Sequence, residues 1–182
     1  YTYNNVWYIK FWLAKRRIQR GPNFKDDNLT LLYDAFVSYS NEDEEWVLKE
    51  LSTNLEQEMG LKLCLHERDF SAGIPIVENI AQSLEQSRAC LIILSEGYVN
   101  SDWCNFELNC AHHIFSERNR PMVVIILAEA PAEKLTKTMR YILKTRTYIE
   151  WKPENDMGQN NSSFWKRILK IMDPHHVMAK WN

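Results

Sequence analysis

The sequence predicts a doubly wound α/β domain, a parallel sheet with helices on both faces. Two observations point there. Residues 89–94 (ACLIIL) and 122–127 (MVVIIL) are continuously apolar over the length of a strand, which is how strands covered on both faces read. Between such runs lie stretches with apolar residues at helical spacing, and alternation of the two element types argues for parallel strands joined by right-handed helical crossovers.

Residues 6–14 (VWYIKFWLA) are rich in aromatics, and Lys15, Arg16, Arg17 and Arg20 follow at once before Gly21-Pro22 breaks the chain. Aromatic residues beside a basic cluster mark the cytoplasmic flank of a membrane span, and this run is shorter than the ~20 apolar residues a full span needs. Residues 1–20 are therefore expected to be the end of a transmembrane span and its basic stem. The same residues also read as an amphipathic helix packed on the domain or lying on a membrane surface. Residues 21–30 are polar and turn-rich, a linker.

The regular pattern begins at residue 31. Residues 31–39 form a first strand, and Ser40-Asn41-Glu42-Asp43 looks like a helix start. Trp46, Val47, Leu51 and Leu55 then recur at helical spacing until Gly60. Residues 61–65 are a second strand, and a turn-rich loop through Gly73 and Pro75 leads to a helix with Ile76, Ile80 and Leu84 on one side. Residues 89–94 are the third strand, 103–115 a helix, 122–127 the fourth strand after Pro121, 147–151 the fifth, and 164–172 a closing helix. The domain is expected over 31–173, with a tail at 174–182.

A chain of 182 residues with 45% hydrophobic and 12% aromatic content has enough large apolar side chains for one core. A formal net charge of −2 gives no global field toward nucleic acid, so no such partner is expected. Cys64, Cys90, Cys104 and Cys110 contain no CxxC pair, and three lie in apolar segments, the pattern of buried free thiols in a reducing compartment. The sequons at Asn28 and Asn161 are triplets common by chance. His175 and His176 in the tail are expected to be exposed. Cys104, Cys110, His112 and His113 lack structural zinc spacing, and no phosphate-cradling glycine loop or nucleophile triad is present; neither metal nor cofactor is expected.

Tyr33-Asp34-Ala35-Phe36-Val37-Ser38-Tyr39-Ser40 resembles the first conserved box of Toll/interleukin-1-receptor (TIR) domains, carried here by Tyr33, Asp34, Phe36, Ser38 and Tyr39. In the same order and spacing as in that family, Arg68-Asp69-Phe70-Ser71-Ala72-Gly73 is similar to the second box. This is the BB loop after the second strand, which Ile74 and Pro75 continue. Ser101-Asp102-Trp103-Cys104-Asn105-Phe106-Glu107-Leu108 is similar to the Trp-Cys-x-x-Glu-Leu segment of the helix after the third strand, and Phe164-Trp165 matches the third box. Residues 63–70 and 146–151 look like Toll-like receptors, most of all the lipopeptide-sensing branch, and the junction of Trp7-Tyr8 with Ala14-Lys15-Arg16 agrees.

The resemblance implies a flavodoxin-like fold of five parallel strands in the order 2-1-3-4-5. It also implies the cytoplasmic signalling domain of a single-pass innate immune receptor, at the plasma membrane or an endosome, with leucine-rich repeats outside. Such a domain associates with the TIR domains of co-receptors and adaptors, as homo- or heterodimers, after ligand-induced pairing. An interleukin-1 receptor or a soluble adaptor shares the fold, and the stem at 7–20 speaks against the adaptor. One departure is Ala72, where the family usually has proline before the final glycine. Proline would fix φ near about −65° and remove a donor, so alanine loosens the tip and leaves the choice of adaptor open.

The first-box strand reads mainly as core, with Asp34 an exception expected to orient the BB loop through hydrogen bonds. Arg68, Asp69, Phe70 and the residues through Pro75 read as a docking element with an aromatic anchor and specificity charges, against the plainer reading of a solvated loop. Trp103, Cys104 and Glu107 are expected to add contacts from the helix. Trp103 and Glu107 stand four apart on one helix face, the spacing at which NAD-cleaving TIR domains carry a catalytic glutamate. An acid beside an aromatic wall could stabilise an oxocarbenium-like state, so the alternative to a non-enzymatic module is a hydrolase using Glu107. The plainer reading is a packed Trp103 and an ion-paired Glu107.

Overall fold

The computed structural model describes residues 2–20, 31–152 and 162–172, with side chains over 6–20, 31–152 and 163–172. The expected linker, both sequons and the expected tail lie outside these residues or at their edge.

Five parallel strands form one sheet in the order β2-β1-β3-β4-β5, as expected. They are β1 (Tyr33–Ser38), β2 (Leu63–Leu65), β3 (Ser87–Leu94), β4 (Met122–Ile126) and β5 (Tyr148–Glu150). Register is set by pairs such as Phe36 with Cys64 and Cys90, and Ile92 with Val124. Because side chains alternate across a strand, β1 to β4 each feed two cores, while β5 gives only Ile149 to one of them. Phe36, Cys64, Cys90, Ile92 and Val124 point to one; Ala35, Val37, Leu63, Leu91, Val123 and Ile149 point to the other.

The second core is closed by α2 and α8. Helix α2 starts with a short 3-10 turn (Asn41–Asp43) capped by Ser40, runs through Glu44–Trp46 and continues with π winding over Val47–Glu58. Val47, Leu51 and Leu55 are buried as their spacing predicts. Helix α8 (Ser162–Met172) inserts Trp165, which is 1% exposed, among Trp46, Trp151 and Phe164. Box 3 is thus a packing device, an aromatic cluster that pins α8 to the sheet.

The first core is covered by α4 (Ile76–Glu85), α6 (Asp102–Glu117) and α7 (Lys137–Thr145), with short α3 (His66–Asp69) and α5 (Glu96–Asn100) between strands and helices. Helix α7 was not expected from the sequence. In α4 the buried stripe is Val77, Ile80 and Leu84, whereas Ile76, expected on that side, is 51% exposed.

Helix α1 (Thr2–Gln19) packs on the domain, against α4 and α6. Phe11 and Ala14 are buried, Trp7, Tyr8 and Phe11 meet Phe106 edge-on, and Lys15, only 3% exposed, pairs with Glu117. Among the described residues no helix is long and apolar enough to cross a membrane.

Candidate functional site

The second-box segment divides in two. His66–Asp69 closes one helical turn, α3, directly after β2. Arg68 sends Nη1 and Nη2 to the two carboxylate oxygens of Glu56 at 2.7 and 2.9 Å and also donates to the Leu63 carbonyl. Burial would push the Glu56 carboxyl up, yet the hydrogen bonds from Arg68, Ser52 and the Leu63 N–H outweigh it and hold that carboxyl below its usual range. Asp69 accepts from the Leu65 N–H at 2.8 Å, and Phe70 is half-buried against the first core. The charges expected to serve partners are thus also bound to the fold, with 44% of the Arg68 side chain and 19% of the Asp69 side chain still exposed. Arg68 lies along the surface and Asp69 turns toward the domain because Glu56 and backbone groups give their charges fixed hydrogen-bond partners.

Beyond Phe70 the chain turns outward, and Ser71, Ala72, Gly73, Ile74, Pro75 and Ile76 are all exposed. The Ile74 N–H returns to the Ser71 carbonyl, and Gly73 sits at φ +80°. Positive φ at the third position of a four-residue turn is the type II signature, with proline favoured at the second position, which here is Ala72. The tip is braced from below: buried Asn79 accepts from Ser71 N–H at 2.9 Å and donates to the Ser71 and Ile74 carbonyls. It is an ordered, protruding, largely uncharged turn.

Asp34 does not reach this loop. It lies at the opposite end of β1, where its Oδ2 accepts from the Lys62 N–H at 2.8 Å while its own N–H donates to the Lys62 carbonyl. The carboxylate fastens β1 to the start of β2, a correction to the expected role.

The helix contacts expected at Trp103, Cys104 and Glu107 fare differently. Cys104 and Glu107 are 2% and 1% exposed. Trp103 keeps some surface but is met edge-on by Trp7 of α1 at 5.5 Å. Of the three, then, only Trp103 could meet a partner, and α1 stands over it. Glu107 Oε2 accepts from Ser38 Oγ at 2.7 Å, and Ser38 Oγ lies 2.9 Å from the Tyr98 hydroxyl, which also donates to the Cys104 carbonyl. This chain of bonds ties β1, α5 and α6 together. Burial pushes the Glu107 carboxyl up to about 7, opposed by the donors Ser38 and Trp103.

A cleft of about 570 Å³ opens at the carboxyl ends of β3, β4 and β5, lined by Leu94, Ile126, Trp151 and neighbours; a second, of about 500 Å³, lies between α1 and the start of α4. Glu107 lines neither. An acid sealed in this way is a structural tie, and the geometry does not favour the NAD-cleaving alternative. All four cysteines are free and buried, and burial pushes the Cys64 and Cys104 thiols up to about 12. Among the described residues no three His, Cys, Asp or Glu side chains converge as metal ligands.

The depth of Glu107 was readable in principle. Cys104, Glu107, Ala111 and Ile114 share one helix face at i, i+3, i+7 and i+10, and all are buried. The bonds made by Arg68 left no such signal, since Glu56 and the Leu63 carbonyl are brought there by the fold.

Comparison with known proteins agrees with this geometry. The TIR domain family matches residues 35–162. Toll-like receptor 2 type-2 of Gallus gallus is 40% identical over 177 residues, 92% of this chain and 22% of that protein. Toll-like receptor 6 of Bos taurus is 37% identical over 92% of this chain and 22% of its own length, and human Toll-like receptor 1 is 36% identical over 89% and 21%. The expected likeness to this branch is borne out, and the chain spans about a fifth of the length of these curated relatives. Among solved structures, the TIR domain of the Toll-related receptor TRR-2 from Hydra magnipapillata superposes with a TM-score of 0.58 at 24% identity, over 77% of this chain and 98% of that one. A TIR-STING receptor from C. gigas gives 0.54 at 21% identity, over 78% and 39%; both show the fold. With its sheet order and this match over most of its length, the chain belongs to the TIR domain family.

Proposed function

We propose that the chain is the cytoplasmic signalling module of a single-pass, membrane-anchored Toll-like receptor, at the plasma membrane or an endosome. Ligand-induced pairing of two tails would let it associate with the TIR domains of partner receptors and adaptors and start inflammatory signalling in innate immunity. The observation that carries this reading is the braced, exposed turn of 71–76 on a rigid scaffold. Ser71, Ala72, Gly73, Ile74 and Pro75 are the contact residues, and Arg68, Asp69 and Phe70 position them from behind. Apolar side chains at the tip, Ile74 (39% exposed) and Ile76 (51%), supply burial on contact. Weak individual contacts become sufficient once two modules are held side by side, because tethering raises effective concentration.

The membrane anchor in this reading rests on the basic, aromatic composition of 1–20 and on the likeness to Toll-like receptors. A pull-down tests the function: the chain fused to a dimerising helix, or left monomeric, is offered to a panel of TIR-domain adaptors. Capture by the dimerised form well above the monomer is expected. Equal, negligible capture by both would refute it.

A further inference from the structure

Helix α1 has two apolar faces, and only one is used by the fold. Trp7, Phe11, Ala14, Lys15 and Ile18 turn toward the domain. On the opposite side, at helical spacing, stand Val6 (46% exposed), Ile9 (60%) and Leu13 (57%), followed by exposed Arg16 and Arg20, with Lys10, Trp12 and Arg17 at the edges. Three aliphatic side chains in line, with more than 45% of their surface in water, are a continuous patch and not scattered exposure.

Charge narrows what covers it. The first twenty residues hold five of the chain's 22 cationic residues and none of its 24 acidic ones. Lys15 is spent on Glu117, and Arg17 reaches Glu78 of α4 only loosely at 3.4 Å while its side chain stays 74% exposed. Among the described side chains, the outer face therefore offers alkyl groups and Trp12 together with several donors and no carboxylate. A protein surface is usually met with both signs; this combination fits an interface of hydrocarbon under phosphate.

We infer that the outer face of α1 binds an anionic lipid bilayer surface, lying in the interface while its inner face stays docked on α6 and α4. Val6, Ile9 and Leu13 enter the acyl boundary, Trp12 sits at headgroup depth, and Lys10, Arg16, Arg17 and Arg20 engage lipid phosphates. The groove between α1 and α4, lined by Trp7, Leu13, Arg17, Pro75, Ile76 and Glu78, carries this surface toward the tip of the 71–76 turn. A bilayer on α1 would thus fix the orientation in which the turn is presented. Lipid binding of this kind needs no TIR partner, so its failure leaves the recruitment reading standing, and the reverse.

The test is flotation of the 182-residue chain with phosphatidylcholine vesicles, with and without phosphatidylserine. Binding only to the phosphatidylserine vesicles is expected, weakened about fivefold for each of Arg16→Gln and Arg20→Gln and abolished by Ile9→Asp with Leu13→Asp. These side chains are exposed, so all variants should keep the parent unfolding midpoint. Absence of binding, or equal binding to neutral vesicles, would overturn the proposal. So would self-association of the lipid-free chain that Ile9→Asp removes, which would assign the face to a second copy.

Discussion

Arg68 and Glu56 face each other as a two-bond fork, Nη1 to Oε2 at 2.7 Å and Nη2 to Oε1 at 2.9 Å. The pair anchors the base of the loop to the end of α2, and Asp69 completes the anchor on the Leu65 N–H. The charges of the second box are thereby tied to the scaffold, and the turn beyond them is left uncharged and exposed.

Asp69→Ala should cost stability. It strips the Leu65 N–H of its acceptor, and an unpaired, partly buried donor costs about 1–3 kcal/mol. At about 2–4 °C per kcal/mol for a domain of this size, the unfolding midpoint should fall by several degrees in a thermal scan. An unchanged midpoint would mean that Asp69 serves partners and not the fold.

Ala72→Pro should do the opposite. Position two of a type II turn already has φ near about −60°, so proline fixes what the chain adopts and stabilises by about 0.4–1 kcal/mol through the unfolded state. Gly73→Ala, at φ +80° with nothing within 4 Å of the added Cβ, should lose about 1–2 kcal/mol from backbone strain alone. Denaturant unfolding of both variants checks the pair; a stabilised Gly73→Ala would show that the turn is not of this type.

Glu107 should make stability fall with pH. Its carboxyl is raised from 4.5 to about 7 by burial, so between those values the folded chain holds a proton that the unfolded chain has released. Stability from this group is complete below about 4.5 and is lost as pH rises toward 7. Glu107→Gln keeps a neutral side chain throughout and should flatten that slope. Unfolding midpoints of both forms across this range are the check, and parallel curves would mean that Glu107 is not buried as described.

Phe11→Ala should release α1 alone. Phe11 is 1% exposed between α1 and Phe106, and deleting a buried phenyl typically costs about 3–5 kcal/mol, more than one peripheral helix can absorb. Hydrogen exchange should quicken across residues 6–19 while amides of β1, β3 and β4 stay protected. Uniform loss of protection would make α1 part of the domain's cooperative core.

Much of this was legible in the sequence. The runs at 89–94 and 122–127 gave β3 and β4 because strands buried on both faces need no polar alternation, and Val47, Leu51 and Leu55 gave α2. Helix α7 went unread because only Met139 and Ile142 of its residues are buried, too short a stripe to stand out. The stem was ambiguous because α1 is apolar on two sides, which blurs the single-face periodicity that separates a packed helix from the end of a span. The roles of Arg68 and Asp69 were hidden for a different reason: their partners lie on α2 and β2, and a loop rich in charge looks the same in sequence whether it faces water or its own backbone.

The measurement that bears hardest on the recruitment reading is the affinity of the dimerised chain for a TIR-domain adaptor that it captures, compared between the parent and Ile74→Asp. Ile74 is 39% exposed at the tip, so the unfolding midpoint should hold. A carboxylate placed in an apolar contact should weaken binding by about tenfold or more. Undiminished affinity with an intact fold would show that the turn at 71–76 is not where this domain meets its partners.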